Sequence, residues 1–345
     1  MAYTTIDNPG LFFNTVLYTG TGSELVITGV GFQPDWTWVK GRNVAYDHNL
    51  FDAVRGATKT MKSNKSDAES TQAQMLKSFD SDGFTIGTDG ALNENDTRTY
   101  VAWNWKAGTS FTNDASSTGI GSIDSSGSFN NDSGFSIVSY TGGGSNATVK
   151  HGLNTAPSMI IFKRRVGSGW NWSTYHKSMG NNYFVSLNLT NAKSNTSSST
   201  HFQDTTPTSS VFSIGDSGHL NGDAIIAYCF ADKQGYSKFG GFVGNGNNDG
   251  TFVYTGFKPA LLIAKSHTST NDWVIFDNKR DPFNLTQHKL YPSANDAAAT
   301  SENDFDFLSN GFKLRQSGYG TNTFIYMAFA ENPFVTSTGV PATAR

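Results

Sequence analysis

The stretch GFQPDWTWVK at residues 31–40 decides the fold, because it recurs twice more along the chain. Residues 153–163 read LNTAPSMIIFK, and residues 256–265 read GFKPALLIAK. The lysines that end the three copies lie about 100 to 125 residues apart. Solenoid repeats have periods of about 20–50 residues, so this longer spacing indicates whole small domains in tandem.

Further phrases recur in the same order around each copy. Tyr-Thr-Gly stands upstream at residues 18–20 and 140–142, and the turn at residues 81–84 (SDGF) is matched at residues 309–312 (SNGF). Asp-Gly and Asn-Gly favour tight hairpins because both central positions take positive φ. Each copy closes on an apolar segment: YVAWNW at 100–105, IIAYCF at 225–230 and FIYMAF at 324–329.

Composition supports three β-rich modules. The chain has 345 residues, of which 15% are charged, and 36 glycines. A domain of about 100 residues can bury its own core. Short β-branched and aromatic segments alternate with turn residues, as in an antiparallel sandwich or barrel, while helical periodicity is weak. We therefore expect an all-β fold of tandem antiparallel β-sandwich modules, lectin-like or jelly-roll-like.

The repeats also predict the domain boundaries. Residues 1–107, 129–233 and 234–334 would be sandwich repeats 1, 2 and 3, with a C-terminal tail at 335–345. Residues 108–128 are rich in Ser and Gly, which predicts a linker that is either flexible or an edge strand. The second and third copies are joined almost directly. We therefore expect a closely packed second pair and a looser first module.

Charge and targeting signals narrow the function classes. The net charge is −3, and the one basic run is Lys163–Arg165, so nucleic acid is not an expected partner. The N-terminus lacks the basic and apolar regions of a secretory signal. No apolar stretch is long enough to span a bilayer, so membrane insertion is not expected. The lone cysteine, Cys229, is expected to be a small buried side chain.

Catalytic and metal-binding signals are weak. The sequence has no nucleophile elbow, P-loop or H-E-x-x-H motif, and its histidines are scattered. Asp52-x-x-Arg55 recurs as Asp277-x-x-Arg280, but the middle copy has His176 and Met179 there. That variation favours a structural ion pair or capped turn over a catalytic pair. We expect no enzyme, no cofactor and no metal, and we interpret Asp80–Gly83 as a hairpin rather than a calcium loop.

The aromatic residues separate into core positions and one exception. Trp36 and Trp38 align with apolar residues in the other copies, which is typical of core positions. Trp170 has no counterpart in the third copy, follows two glycines and lies near Tyr175 and His176. We predict that Trp170, Tyr175 and His176 bind a ligand. The alternative is that Trp170 is a loop anchor packing on its own module.

The repeated phrases resemble the tandem modules of tail-fibre-like structural proteins in bacteriophages, especially those of cyanobacteria and other aquatic bacteria. The resemblance rests on the phrases already quoted, on VRGA at 54–57 and on further phrases at 134–138, 236–240 and 326–334. It covers nearly the whole chain. It implies a virion component with lectin-like sandwich modules, made in the host cytoplasm, and it implies no catalytic residues.

Three functions remain open at this point. The first is a tail-fibre or fibre-tip adhesin that binds host cell-surface glycan and assembles as a homotrimer, as the resemblance implies. The second is a capsid decoration, head-fibre or connector protein that binds other virion proteins. The third and weakest is a depolymerising enzyme, which would need a loop cleft with paired carboxylates.

Overall fold

The all-β expectation is confirmed. The computed structural model describes residues 4–95, 97–195, 200–300 and 303–333, so the predicted tail at 335–345 lies outside the described residues. Within them, the α-helices are single turns, α1 (Gly90–Asn93) and α2 (Ala115–Thr118), and 3₁₀ turns lie at Pro9–Leu11 and Ser317–Tyr319. None of these helices has the length and apolarity needed to cross a bilayer. The antiparallel sheets group into three sandwiches, named modules 1, 2 and 3.

Module 1 consists of β1 (Phe13–Thr19), β2 (Leu25–Ile27), β3 (Trp36–Gly41), β4 (Asn49–Asp52), β5 (Lys59–Lys62), β6 (Ser70–Thr71), β7 (Leu76–Asp80), β8 (Gly83–Ile86) and β9 (Thr99–Trp105). Its large sheet has the order β1-β9-β3-β4-β5-β6, and its small sheet has the order β2-β8-β7.

Module 2 consists of β10 (Thr109–Asn113), β11 (Ser125–Asn130), β12 (Phe135–Thr141), β13 (Ala147–Lys150), β14 (Met159–Arg164), β15 (Ser173–His176), β16 (Tyr183–Ser186), β17 (Ser194–Asn195), β18 (Val211–Ile214) and β19 (Ala224–Phe230). The large sheet has the order β10-β11-β12-β19-β14-β15-β16-β17, and β13 pairs with β18 in the small sheet.

Module 3 consists of β20 (Ser237–Val243), β21 (Phe252–Tyr254), β22 (Phe257–Ser266), β23 (Trp273–Asp277), β24 (Phe305–Leu308), β25 (Gly311–Leu314) and β26 (Thr323–Pro333). Its sheets have the orders β20-β26-β22-β23 and β21-β25-β24.

The strands made by the repeated stretch are equivalent. β3, β14 and β22 each lie between the closing strand of their module and the strand that follows them in the chain. Their registers match: Trp36 faces Trp105, Met159 faces Phe230, and Leu261 faces Phe329. Counting along these registers identifies equivalent residues in the three modules.

The repeated strands are buried on both faces, but the second face packs against other modules. In module 1, Val39 and Ala102 pack with residues of the small sheet such as Phe84. Side chains on the opposite face, including Trp36, join a core that contains residues of all three modules. Trp36 stacks on Tyr228 of module 2 with ring centroids 4.5 Å apart.

At the centre of this shared core, equivalent aromatic residues meet. The rings of Trp105 and Phe329 lie 5.7 Å apart, and those of Phe230 and Phe329 lie 6.1 Å apart. All three side chains are buried. Burial of large aromatic side chains contributes strongly to stability. The shared core therefore holds the three modules together and covers the face of each large sheet that points away from its small sheet.

The modules form a closed ring in which each contacts the next through equivalent positions. Backbone hydrogen bonds join Glu69 N to Arg165 O, Lys193 N to His267 O and Ala298 N to Arg42 O, which link module 1 to 2, 2 to 3 and 3 to 1. Two equivalent tryptophans also join neighbouring modules. Trp172 Nε1 donates to Lys62 O and Trp273 Nε1 donates to Ser186 O, each at a distance of 2.9 Å. Head-to-tail contacts of this kind generate rings when the rotation closes.

Two sequence-based expectations about organisation are corrected. Module 1 is not the looser module, since Trp36, Trp38 and Trp105 are fully buried in the shared core. Residues 108–128 contain β10, α2 and the start of β11, so the edge-strand interpretation applies and the flexible one does not. The serine-rich composition reflects a half-exposed hairpin that extends the large sheet of module 2.

Candidate functional site in module 3

The three predicted ligand-binding residues do not form one site. Tyr175 lies in the core of module 2, where its ring contacts that of Phe202 at 5.4 Å, and burial raises the pKa of Tyr175 to about 12. His176 is on the opposite face of β15 and is fully buried. Its Nε2 lies 3.1 Å from Tyr326 O of module 3, and burial lowers its pKa to about 4. His176 is therefore a contact between modules.

Trp170 is half-buried, and its surroundings match the loop-anchor alternative. The Arg164 guanidinium lies 4.4 Å from the Trp170 ring centroid, and the His219 ring meets it edge-on at 5.0 Å. The ring also packs so closely on Gly218 that a Cβ there would lie 2.7 Å from it. Trp170 thus closes the end of its own sandwich.

The repeated Asp-x-x-Arg motif is a buried ion pair, as the sequence suggested. Arg55 Nε lies 2.5 Å from Asp52 Oδ2, and Arg280 Nε lies 2.5 Å from Asp277 Oδ2, with all four side chains fully buried. Each carboxylate also accepts a bond from a neighbouring module. Tyr228 OH donates to Asp52 at 2.7 Å, and Trp103 Nε1 donates to Asp277 at 3.0 Å. The motif stabilises the ring.

One end of module 3, by contrast, carries an open cleft of about 400 Å³. We call it the module-3 cleft. Its wall combines two tyrosines with charged and amide side chains, a composition suited to ligands that need both an apolar face and hydrogen bonds. The lining residues are Asn271, Asp272, Val274, Lys289, Tyr291, Asp304, Gln316, Gly318 and Tyr319.

Comparison with the sister modules explains why the cleft is open. Tyr46, Trp170 and Asn271 each stand two residues before an equivalent ring residue, His48, Trp172 and Trp273. In module 1 the Tyr46 OH donates to Glu94 Oε2 at 2.7 Å, and in module 2 Trp170 packs on Gly218. The shorter Asn271 leaves the corresponding space in module 3 unfilled.

Two further replacements make the cleft polar. Asp304 occupies the position of the buried Met75, because Arg315 N donates to Asp304 O as Gly87 N donates to Met75 O. By the same kind of match, Tyr319 occupies the position of Leu92, which is fully buried. Burying a carboxylate where a methionine would serve costs stability unless it is paired. A carboxylate at this position therefore needs partners in the cleft wall.

The buried carboxylate organises the cleft wall. Asp304 Oδ2 accepts a hydrogen bond from Lys289 Nζ at 3.0 Å and from Tyr319 OH at 2.5 Å. The Lys289 ammonium also lies 5.5 Å from the Tyr291 ring centroid. Asp304 is 1% exposed, and its Oδ1 has no hydrogen-bond partner among the described residues. Asp304 Oδ1 is therefore a candidate hydrogen-bond acceptor for a ligand in the cleft.

The repeated lysine positions the rim of this cleft. Lys265 Nζ donates to Asn271 O of the rim and, at 2.7 Å, to Thr190 O of module 2. The equivalent Lys163 donates to Trp170 O and to Ser66 O of module 1. Burial lowers the pKa of both lysines to about 8. Each lysine therefore fixes a loop of its own module against its neighbour.

The described residues offer no alternative site built on a metal or a thiol. Nowhere in them do three His, Cys, Asp or Glu side chains group as metal ligands would. Cys229 is fully buried, as expected, and burial raises the pKa of its thiol.

Sequence reasoning missed the module-3 cleft for an identifiable reason. Counting back from the shared hairpin turn does not align Asp304 with Met75, because β7 contains a register shift between Leu76 and Ser78. The sequence does show that module 3 has no aromatic residue equivalent to Trp170. That difference was attributed to a special role of Trp170 in module 2 rather than to the small Asn271 in module 3. The informative signal was the small residue in module 3.

Fold and site together define an all-β protein of three sandwich modules closed into a ring, with an open polar and aromatic cleft in the third. The chain belongs to the family described as Domain of unknown function (DUF7483), which it matches over residues 8–333. That range spans all three modules. The search of curated proteins found no match.

Proposed function

We propose that the protein is a structural component of a bacteriophage virion, a tail-fibre or fibre-tip adhesin that binds host cell-surface glycan through the module-3 cleft. The observation that carries this proposal is the open cleft itself, polar and aromatic where modules 1 and 2 are filled by their own side chains. The ring provides a rigid scaffold, as binding loops require.

The cleft matches the chemistry of a sugar ring. A pyranose has apolar C–H faces that pack on aromatic rings and hydroxyls that both donate and accept hydrogen bonds. Tyr291 and Tyr319 supply ring surface, and Asp304 Oδ1 supplies an acceptor. A cleft of about 400 Å³ is near the lower end of the usual ligand-pocket range, so it suits one or two sugar residues.

We propose binding without turnover. Asp272 and Asp304 both line the cleft, and glycoside hydrolysis uses two carboxyl groups that flank the scissile bond. Asp304, however, holds Lys289 and Tyr319, and Asp272 Oδ1 accepts a hydrogen bond from Ser293 Oγ at 2.9 Å. These carboxylates organise the cleft wall. Release of reducing sugars from host polysaccharide would overturn the non-enzymatic proposal.

A decoration, head-fibre or connector protein remains the second candidate, and one observation favours it. Phe283 is 83% exposed and Leu285, two residues further on, is 42% exposed, in a loop of module 3. Exposed apolar side chains that lie together are typical of protein-binding surfaces. For this function the partners would be other virion proteins.

The homotrimer stays a proposal. The ring already uses the equivalent faces of the three modules, so a trimer of chains would need other surfaces. The edge strands β1 and β20 are candidates, because each is an outer strand of its sheet. Light scattering should then report about three chains per particle. Three clefts per particle would strengthen weak glycan contacts through avidity.

Retention of the purified chain on host cells tests the adhesin proposal. Tyr319→Leu, which installs the module 1 residue, should reduce retention at least tenfold by removing ring surface and a hydrogen bond from the cleft. Trp170→Ala is the matched control, an aromatic substitution in the equivalent part of module 2, and should leave retention unchanged.

The outcomes separate the candidates. Equal retention of the two variants would refute the module-3 cleft as the site. A chain that does not bind cells but binds capsids, and whose binding is lost in Phe283→Ser, would select the decoration function.

A further inference from the structure

A second cavity lies at the seam between modules 3 and 1 and shares no lining residue with the module-3 cleft. It has a volume of about 220 Å³, and we call it the seam cavity. Residues from the start of module 1 form one wall. The other wall belongs to module 3 and comes from β22, from β26 and from the turn after β23. The lining residues are Asn8, Gly10, Phe13, Asn14, Thr15, Ala260, Asn278, Lys279, Ala330 and Glu331.

The equivalent seam between modules 2 and 3 is filled by the protein. There Ser158 Oγ and Lys177 Nζ both donate to Asp232 Oδ2, and Phe239 N donates to Asp232 Oδ1 at 2.9 Å. The Phe239 side chain is 1% exposed and belongs to the shared core. A hydroxyl, an ammonium and an aromatic ring thus occupy this seam.

At the seam between modules 3 and 1, each of these groups is replaced. Ala260 stands for Ser158, Asn278 for Lys177 and Thr15 for Phe239, as the strand registers show. The hydroxyl, the ammonium and the aromatic ring are therefore missing. The carboxylate that remains, Glu331, pairs instead with Lys258 at 2.7 Å.

The replacements leave polar atoms unsatisfied inside the seam cavity. Thr15 is 4% exposed, and its Oγ1 has no hydrogen-bond partner among the described residues. Asn278 Oδ1 is also buried and has no hydrogen-bond partner among the described residues. Unpaired buried polar atoms cost about 1–3 kcal/mol each. Two such atoms on residues that line one cavity point to a partner that supplies hydrogen bonds.

We propose that the seam cavity binds a small polyol or a single sugar residue. Hydroxyl groups donate to Asn278 Oδ1 and either donate to or accept from Thr15 Oγ1. The exposed Lys279 and the nearby Lys258 place positive charge at the rim, which disfavours an ammonium ligand. Phe13 and the methyl groups of Ala260 and Ala330 supply the apolar part of the wall.

Methyl NMR of the full chain tests the seam cavity directly, because Ala260 and Ala330 provide reporters in its wall. The chain is titrated separately with glycerol, D-glucose and D-galactose. We expect at least one of them to shift both methyl signals saturably, with a dissociation constant on the order of 1 mM. Asn278→Lys and Thr15→Phe, which install the residues of the filled seam, should each weaken that binding at least tenfold.

Tyr319→Leu is the control, since it alters the module-3 cleft and should leave the seam titration unchanged. Shifts that stay linear in ligand concentration for all three probes would overturn the proposal and leave the seam cavity to water alone. Saturable shifts that persist unchanged in both Asn278→Lys and Thr15→Phe would overturn it as well. These results are independent of whether the module-3 cleft binds glycan.

Discussion

At the scale of single residues, the lysine that ends each repeated stretch donates hydrogen bonds to backbone carbonyls in every module. Lys40, Lys163 and Lys265 are fully buried at the end of their strands. Lys163 and Lys265 each bond a carbonyl of the preceding module in the ring. A long side chain with three donors can satisfy several carbonyls at a seam, and an apolar residue would leave them unpaired.

These lysines predict a pH dependence. Burial lowers the pKa of each to about 8, against about 10.4 in an unfolded chain. Between these values the unfolded chain holds more protons, so the free energy of unfolding rises with pH. Below pH 8 both states are protonated, and the lysines add no slope. Urea unfolding between pH 8 and about 9 compares the unsubstituted chain with Lys163→Met, which should lose one lysine's share of that rise and so show a smaller slope against pH. Identical slopes would contradict it.

Two tryptophan substitutions separate core from loop. Trp38 is fully buried and donates to His48 Nδ1 at 2.8 Å, whereas Trp170 is half-buried at the end of module 2. Trp38→Ala should cost about 3–5 kcal/mol of unfolding free energy, and Trp170→Ala about 1 kcal/mol. Chemical unfolding of both variants measures the difference. Equal losses would show that the assignment is wrong.

At the scale of elements, the strand ends and turns at β4, β15 and β23 contact the next module with two different sets of side chains. Modules 1 and 3 place an Asp–Arg pair there, and module 2 places His176 and Met179. All three contact the closing strand of the next module. A polar contact with the next module is present in all three modules although the side chains differ. Both sets of side chains satisfy the buried hydrogen-bonding groups at this position.

This interpretation predicts strong coupling within the pair. Arg55→Met alone leaves the Asp52 carboxylate buried without its cation and should cost about 3–5 kcal/mol. Adding Asp52→His, which completes the module 2 pair, should recover part of that loss, since it removes the unpaired charge. A double-mutant cycle by chemical unfolding measures the coupling. Additive losses would contradict it.

Sequence patterns predicted the elements better where strands repeat than where they do not. The repeated stretches form the expected strands because short apolar segments and Asn-Gly or Asp-Gly turns act locally. β10 and β11 were harder to predict, since Ser, Thr and Gly rarely signal a strand. They form because the exposed edge of β12 offers backbone partners, such as Val138 opposite Gly127.

Hydrogen exchange tests that assignment. Amides of Thr109–Asn113 and Ser125–Asn130 that bond within the sheet should exchange much more slowly than those of an unstructured chain. The exposed loop at residues 143–146 is an internal reference for fast exchange. Fast exchange throughout residues 108–128 would restore the flexible-linker interpretation.

At the scale of the whole molecule, the sequence predicted three modules but not the ring. Trp36 and Thr37 lie on opposite faces of β3 and are both buried, whereas the sequence pattern identified a core position at Trp36. Nothing local distinguishes a face that packs on a second sheet from one that packs on another module. The module-3 cleft depends on the same long-range information, because it is recognised by comparing equivalent positions.

We propose that module 3 has opened a glycan site at the position that modules 1 and 2 fill with their own side chains. A crystal structure of the chain soaked with an oligosaccharide from the host surface tests this most directly. We predict a sugar ring against Tyr291 and Tyr319, with a hydroxyl within hydrogen-bond distance of Asp304 Oδ1. A sugar bound at Trp170 with the module-3 cleft empty would contradict the claim.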